Sequence, residues 1–227
     1  MKTLLLLHGA LGSKTQLEPL KKLLESKFNV HTLNFEGHGD RASARDYSME
    51  NFADNLREYL DQHDLKNVLV FGYSMGGYVA LKLAQTRPEY FEKIITLGTK
   101  FHWTPEAAAK EVKMLDPIKI EEKVPVFAHA LSQLHTATDW KLVMQQTAAL
   151  MTALGNGKAM TDAEFKTIRV ACLLGVGDRD AMVTREETQH VVSLIPHAAF
   201  YLLDDTAHPI DKLDFGRMAR FIIEKTA

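Results

Sequence analysis

A chain of 227 residues is long enough to bury a sizeable core, and a composition of 46% hydrophobic and 25% charged residues argues against intrinsic disorder. The formal net charge is −2 and no polybasic tract is present, so we expect neither nucleic acid nor a membrane as a partner. Cys172 is the only cysteine, which excludes an internal disulfide, and its apolar neighbours predict burial. The apolar run at residues 4–7 is too short for a signal peptide or a membrane span, so we expect a cytoplasmic protein.

The first part of the chain alternates apolar runs with helical patterns. Continuous apolar runs suit strands that are covered on both faces, and apolar residues three or four positions apart suit helices packed on a core. The patterns predict strands at residues 4–7, 30–35, 67–71 and 93–98, and helices near residues 17–24, 48–60 and 78–84. Strands that alternate with helices in this way predict a parallel sheet with helices on both faces.

The alternation stops between residues 99 and 168, where no convincing strand is found. This segment is rich in leucine, methionine, phenylalanine and tryptophan, which predicts packed helices and not a linker. We expect helices at residues 104–115 and 140–154, and a third that begins with a capping box of Thr161 and Glu164.

The strand–helix alternation resumes after residue 168. Strands are predicted at residues 170–175 and 199–203. Thr184 and Glu187 form a second capping box, which predicts that a helix begins between these two strands. A final helix with an apolar face should follow the last strand.

Residues 72–77, Gly-Tyr-Ser-Met-Gly-Gly, join a predicted strand to a predicted helix. A Gly-x-Ser-x-Gly sequence in this context is typical of a tight turn with a serine at its tip, where the two glycines let strand and helix approach each other. The serine oxygen is then exposed at the edge of the sheet, beside the free N–H groups at the start of the helix. Ser74 is therefore a candidate nucleophile, although the motif alone also fits an ordinary turn.

Two further reactive side chains, Asp180 and His208, come just after the last two predicted strands. The carboxyl ends of parallel strands meet at one edge of the sheet, so these side chains should lie near Ser74, where ligands bind. Imidazole is well suited to take the serine proton, and a carboxylate orients the imidazole and stabilises its charged form. Asp178 lies two residues before Asp180 and is the alternative acid.

Attack on a carbonyl group produces an oxyanion, which needs preorganised N–H donors. The N–H of Met75, directly after the serine, is one candidate donor. The second should come from the loop that follows the first strand, with Ala10 as the first choice and Leu11 as the alternative.

Together these motifs resemble the α/β-hydrolase superfamily over essentially the whole chain. His8 and Gly9 resemble its oxyanion loop, residues 36–39 its Gly-x-Gly turn, residues 72–77 its nucleophile turn, and residues 177–180 with Val183 its acid loop, whose second aspartate is usually the catalytic one. Ala207 and His208 resemble its histidine loop, where Gly-His is more usual. The resemblance implies a three-layer α/β/α sandwich with a mainly parallel six-stranded sheet, formed by residues 1–98 and 169–227, and an inserted helical cap at residues 99–168.

The other histidines are weaker candidates. Glycine neighbours favour structural roles for His8 and His38 in tight loops, although both could line the site. His102, His129 and His135 lack the spacing of metal ligands, and the chain has no phosphate-binding or dinucleotide-binding glycine motif. We therefore expect no metal and no cofactor.

The apolar side chains of residues 99–168 should bury most of their surface against one another, and some must line the gap above Ser74. They are Phe101, Trp103, Met114, Leu115, Phe127, Leu131, Leu134, Trp140, Met144 and Met151. An apolar or aromatic acyl group is therefore the expected substrate. No arginine cluster indicates an anion pocket, although Arg41, Arg45 or Arg87 could supply a single charge.

The sequence predicts a serine hydrolase, monomeric or homodimeric, that cleaves a carboxylic ester or related acyl bond of a small, apolar substrate through an acyl-enzyme. A C–C bond hydrolase, a lyase or an acyltransferase could use the same three residues, because one fold hosts many reactions. A ligand-binding protein that retains the three residues is the alternative outside enzymes.

Overall fold

The computed structural model describes residues 1–226, and six strands in this part of the chain form a sheet. They are β1 (Thr3–Leu7), β2 (Asn29–Thr32), β3 (Val68–Tyr73), β4 (Phe91–Leu97), β5 (Ala171–Gly177) and β6 (Ala198–Leu203). Their order is β2-β1-β3-β4-β5-β6, and every neighbouring pair is parallel. The predicted α/β class and six-stranded sheet are confirmed, and the sheet is parallel throughout.

Ten α-helices accompany the strands within residues 1–226. They are α1 (Glu18–Leu24), α2 (Met49–Gln62), α3 (Met75–Thr86), α4 (Pro105–Val112), α5 (Pro117–Lys123), α6 (Pro125–Leu134), α7 (Trp140–Ala153), α8 (Asp162–Phe165), α9 (Arg185–Leu194) and α10 (Phe215–Thr226). None of the helices in this range is both long enough and apolar enough to cross a bilayer.

The strands are buried on both faces because alternate residues point into two separate apolar layers. Leu5 and Leu7 of β1 pack in the cluster that contains α2, α3 and α9, whereas Leu4 and Leu6 pack in the cluster that contains α1 and α10. All four leucines are fully buried. This arrangement explains why β1 is a continuous apolar run, and it confirms that helices cover both faces of the sheet.

Strand β2 is shorter than the sequence predicts. It ends at Thr32, which pairs with Leu6, and not at Phe35. Beyond Thr32, side chains and not a neighbouring strand accept the backbone N–H groups. The Phe35 N–H donates to His8 Nε2 at 3.2 Å, and the Glu36 N–H donates to Asn55 Oδ1 at 2.8 Å. The apolar pattern of residues 33–35 therefore reports burial, but not strand pairing.

Residues 99–168 contain α4 to α8, two of which the sequence analysis missed. Helix α4 ends at Val112, and the short helices α5 and α6 follow, each beginning with a proline. Proline is favoured at the first helical position, and Asp116 caps α5 by accepting the N–H groups of Ile118 and Lys119. The Asp-Pro pair was the available signal for α5. Helix α8 has the predicted capping box but is one turn long.

Gly76→Ala should destabilise the protein strongly, because a Cβ at this position would lie 2.6 Å from the Leu7 carbonyl oxygen on the neighbouring strand. We expect a loss of about 1–3 kcal/mol or more in the free energy of unfolding, measured by urea denaturation. Gly216→Ala in α10 is the matched control, because its Cβ would meet only side-chain atoms at 3.3 Å or beyond. Equal stability of the two variants would contradict this account of the turn.

Candidate active site

Ser74 lies in the turn between β3 and α3 with a strained backbone, at φ 50° and ψ −118°. Its N–H donates to the Leu97 carbonyl at 2.9 Å, and its own carbonyl accepts the Thr99 hydroxyl at 2.9 Å. A Cβ on Gly72 would lie 2.5 Å from the Cα of Gly77, so only glycine permits this approach of strand and helix. The side chain of Ser74 is held at the carboxyl edge of the sheet in the way that the motif predicts.

Ser74, His208 and Asp180 form a chain of hydrogen-bonding contacts at this edge. The serine hydroxyl lies 3.3 Å from His208 Nε2, and His208 Nδ1 lies 2.7 Å from Asp180 Oδ2. Because the carboxylate can only accept, it fixes the ring proton on Nδ1 and leaves Nε2 free to accept the serine proton. The structure thus brings together the three side chains that the sequence singled out.

The Asp180 side chain is only 2% exposed, and backbone donors hold its second oxygen. Asp180 Oδ1 accepts the N–H groups of Met182 and Val183 at 2.9 and 2.8 Å. Asp178, the alternative acid, instead accepts the Thr206 N–H at 3.0 Å, a bond that keeps the pKa of its carboxyl below the ordinary value. Asp180 therefore faces the imidazole, whereas Asp178 joins the two loops that follow β5 and β6.

Two residues that the sequence analysis did not single out shape the surroundings of His208. Gly98 has a φ of 64°, and a Cβ on it would lie 3.2 Å from Asp180 Oδ2 and 3.3 Å from His208 Nδ1. The Tyr73 hydroxyl donates to the His208 carbonyl, and burial raises the pKa of this phenol. Gly98 leaves room for the carboxylate–imidazole contact, and Tyr73 holds the backbone of the histidine loop.

The predicted oxyanion donors Ala10 and Met75 line the same cavity as Ser74. Met75 is the first residue of α3, so its N–H has no partner within the helix. The loop that carries Ala10 is tight, because the Gly12 N–H donates to the Gly9 carbonyl at 3.1 Å and Leu11 has a φ of 56°. Both predicted positions therefore lie in the wall of the cavity that contains Ser74.

Two buried neutral histidines, His8 and His135, hold the loop that carries Ala10 by donating to its backbone carbonyls. His8 donates through Nδ1 to the Gly9 carbonyl at 2.8 Å and accepts the Phe35 N–H through Nε2. His135, from the end of α6, accepts the Gly39 N–H at 3.0 Å and donates to the Leu11 carbonyl at 3.1 Å. Burial lowers the pKa of His8 to about 4 and also lowers the pKa of His135. Each ring uses one nitrogen as donor and one as acceptor, which protonation would disrupt.

A cavity of about 250 Å³ opens beside Ser74, and its walls are mostly apolar. Of the ten apolar residues predicted for the gap, four line it: Trp103, Met114, Leu115 and Met151. Met49, Leu150, Leu154 and Met182 add further apolar surface.

The charges of the cavity differ from the expectation based on arginine. Arg41, Arg45 and Arg87 do not line it, and each pairs with a glutamate elsewhere. Lys100 and Glu111 lie in its wall instead. Neither residue stands out in the sequence, because an isolated lysine and an isolated helical glutamate resemble ordinary surface residues.

Comparison with known proteins agrees with this architecture. A family model described as alpha/beta hydrolase fold matches residues 2–138. The chain is 30% identical over 129 residues to the sn-1-specific diacylglycerol lipase ABHD11 of Mus musculus, a match that covers 55% of this chain and 42% of the lipase. It is 28% identical over 103 residues to ethanol acetyltransferase 1 of Hanseniaspora uvarum, covering 44% and 30% of the two chains. The chain thus spans less than half the length of either curated relative.

A solved structure gives a likeness over the full chain. A thermophilic esterase from Thermogutta terrifontis superposes with a TM-score of 0.78 at 20% identity, covering 100% of this chain and 89% of the esterase. At this identity the likeness shows a common fold.

The buried histidines predict a pH dependence of stability. The pKa of His8 is about 4 in the folded protein, against about 6.5 in an unfolded chain, so below pH 6.5 the unfolded state binds more protons. The contribution of His8 to stability is therefore complete above about pH 6.5 and falls by about 3 kcal/mol as the pH approaches 4. Urea denaturation between about pH 7.5 and 4.5 measures this loss.

The slope of the free energy of unfolding against pH reports the number of protons that are taken up on unfolding. His8→Gln should lower this number by close to one, and His135→Gln should also lower it. The exposed His129→Gln variant is the matched control and should keep the wild-type slope. An unchanged slope in both His8→Gln and His135→Gln would contradict the assignment of buried neutral rings.

Proposed function

The chain belongs to the alpha/beta hydrolase fold family of enzymes, and we propose that it is a serine hydrolase that cleaves a carboxylic ester or a related acyl bond. The observation that carries this proposal is the contact chain from Ser74 through His208 to Asp180 at the mouth of an apolar cavity. A nucleophile, a base and a group that orients the base are the parts that acyl transfer requires.

In the proposed reaction, Ser74 Oγ attacks the acyl carbon while its proton passes to His208 Nε2. Asp180 stays ionised, holds the ring through Nδ1 and stabilises the imidazolium. The N–H groups of Ala10 and Met75 donate hydrogen bonds to the carbonyl oxygen and stabilise the negative charge that develops on it. His208 then protonates the departing alcohol, and an acyl-enzyme on Ser74 remains. Water, deprotonated by His208, repeats the attack and releases the carboxylic acid.

We further propose that residues 99–168 act as a cap over a catalytic core of residues 1–98 and 169–227. Trp103, Leu115 and Met151 come from this segment, whereas Ser74 and His208 come from the core, and all five border one cavity. An apolar pocket of about 250 Å³ suits a small apolar acyl group, because burial of such a group stabilises the complex by about 25 cal/mol per Å² of apolar surface.

Acyl transfer to an alcohol is a second candidate, favoured by the similarity to ethanol acetyltransferase 1 of Hanseniaspora uvarum. The same acyl-enzyme yields an ester when an alcohol, and not water, attacks it. Addition of ethanol to the assay separates the two reactions, because a transferase converts the acyl donor into an ethyl ester that gas chromatography detects. We expect the free acid as the main product.

Ser74→Ala should abolish the hydrolysis of p-nitrophenyl esters from acetate to longer acyl chains, measured by release of nitrophenol. The loss should approach a factor of about 10⁶ in kcat, the cost typical of removing a triad serine. The variant should keep the wild-type thermal stability within a few degrees, which shows that it is folded. Undiminished turnover in the folded variant would reject the proposed function.

Asp180→Asn and Asp178→Asn form a matched pair that tests the assignment of the acid. The Asp180 variant places an amide beside His208 Nδ1, which favours the wrong ring tautomer and should lower kcat by about 10³–10⁴-fold. Asp178→Asn retains an oxygen that accepts the Thr206 N–H, so its kcat should stay within about 10-fold of wild type. Equal losses, or a larger loss at residue 178, would contradict the assignment.

A further inference from the structure

The cavity beside Ser74 contains a charged pair that the proposed reaction does not use. Lys100, just after β4, is 10% exposed, and Glu111 of α4 is 15% exposed. Both side chains line the cavity together with Ser74 and Trp103. Taking charged groups out of water is costly, so a pair in an otherwise apolar wall needs a compensating role.

Lys100 is only partly satisfied by its neighbours. Its ammonium group donates to the Met182 carbonyl at 3.0 Å and lies 5.7 Å from the centre of the Trp103 ring. An ammonium group has three N–H donors, so the bond to Met182 leaves donors for another acceptor. The charge is therefore anchored beside the loop of Asp180, with hydrogen-bonding capacity left over.

Glu187 lies near Lys100, but its oxygens are already occupied. One oxygen accepts the N–H groups of Phe101 and His102, and the other accepts the N–H and hydroxyl of Thr184. It is 4.0 Å from the Lys100 ammonium and contributes charge without a hydrogen bond. Glu187 is therefore a structural capping residue, which leaves Glu111 as the carboxylate that shares the cavity with Lys100.

The distance between Lys100 Nζ and Glu111 Oε1 is 3.8 Å, an ion pair without a direct hydrogen bond. A hydroxyl oxygen can lie about 2.8 Å from both atoms at once, accepting from the ammonium and donating to the carboxylate. A substrate carboxylate would face Glu111, and a substrate ammonium would face Lys100. A neutral group that both accepts and donates fits the pair best.

We propose that Lys100 and Glu111 form a specificity site for an aliphatic hydroxyl on the substrate, so that the preferred substrate is a hydroxylated ester with an otherwise apolar chain. This inference rests on the proposed function, because it assigns the substrate class of the same cavity. The hydroxyl belongs either to the acyl chain or to the alcohol part of the ester, and the two arms of the experiment distinguish these sources.

The first arm compares p-nitrophenyl 6-hydroxyhexanoate with p-nitrophenyl hexanoate, and the second compares 2-hydroxyethyl hexanoate with ethyl hexanoate. In one arm the wild-type enzyme should prefer the hydroxylated ester by about 10-fold in kcat/KM, the size expected for a hydrogen bond to charged groups. The preference is a ratio within one protein, so effects on the catalytic residues cancel.

The double variant Lys100→Met with Glu111→Leu replaces the pair by apolar side chains of similar size. Its preference for the hydroxylated ester, measured as the ratio of kcat/KM for the two esters, should fall to about 1 or below, because neither apolar side chain can bond to the hydroxyl. Lys110→Met with Glu106→Leu makes the same replacements at exposed positions of α4 and should keep the wild-type preference. Glu111→Gln, a milder change, should lower the preference in the same direction and replaces the double variant if that variant does not fold.

Equal turnover of hydroxylated and plain esters by the wild type in both arms would overturn the inference and leave the proposed function standing. A preference that survives in the double variant, or a stronger preference for a 6-aminohexanoate ester, would also overturn it. Failure of the wild type to hydrolyse any of these esters would reject the proposed function, and the inference with it.

Discussion

The close approach of β3 and α3 at Ser74 is the constraint on which the rest of the site depends. Strand and helix meet so tightly that a Cβ has no room on Gly72 or Gly76. The serine between them adopts a backbone conformation that costs about 1–3 kcal/mol, and bonds to Leu97 and Thr99 hold it there. These contacts with the core of the sheet therefore offset the cost of the strained backbone. They keep the Ser74 hydroxyl at the cavity mouth, beside the N-terminus of α3.

The order of the strands explains how the partners of Ser74 reach it. Strand β3 lies between β1, whose loop carries Ala10, and β4, beyond which β5 and β6 carry Asp180 and His208. The loop after β1 therefore approaches Ser74 from one side, and the loops after β5 and β6 approach it from the other. The side chains of Asp180 and His208 must meet across the end of β4, and Gly98 at this end has no side chain to obstruct their contact. His135, directly after α6, connects the segment at residues 99–168 to the Ala10 loop through its bond to the Leu11 carbonyl.

Features with a local chemical signature could be predicted from the sequence, and features created by tertiary contacts could not. The β/α alternation, the turn at Ser74 and the capping boxes follow from spacing and residue type. The early end of β2 depends on side chains of other elements that bind its backbone. The Lys100–Glu111 pair could not be predicted from the sequence either, because the two residues come together, partly buried, only when α4 packs beside the cavity. The sequence favours Asp180 over Asp178 as the partner of His208, but which carboxylate contacts the imidazole depends on how the two loops fold.

The central claim is that Ser74 is an activated nucleophile, and covalent labelling with a fluorophosphonate probe tests it most directly. The probe reacts with a serine whose proton is removed by a neighbouring base, so simple exposure of a hydroxyl is insufficient. Intact mass spectrometry of the labelled protein, followed by peptide mapping, should show one adduct located on Ser74. It should be absent from folded Ser74→Ala and strongly reduced in folded His208→Ala. A folded wild-type protein without an adduct, or with an adduct on another residue, would contradict the account.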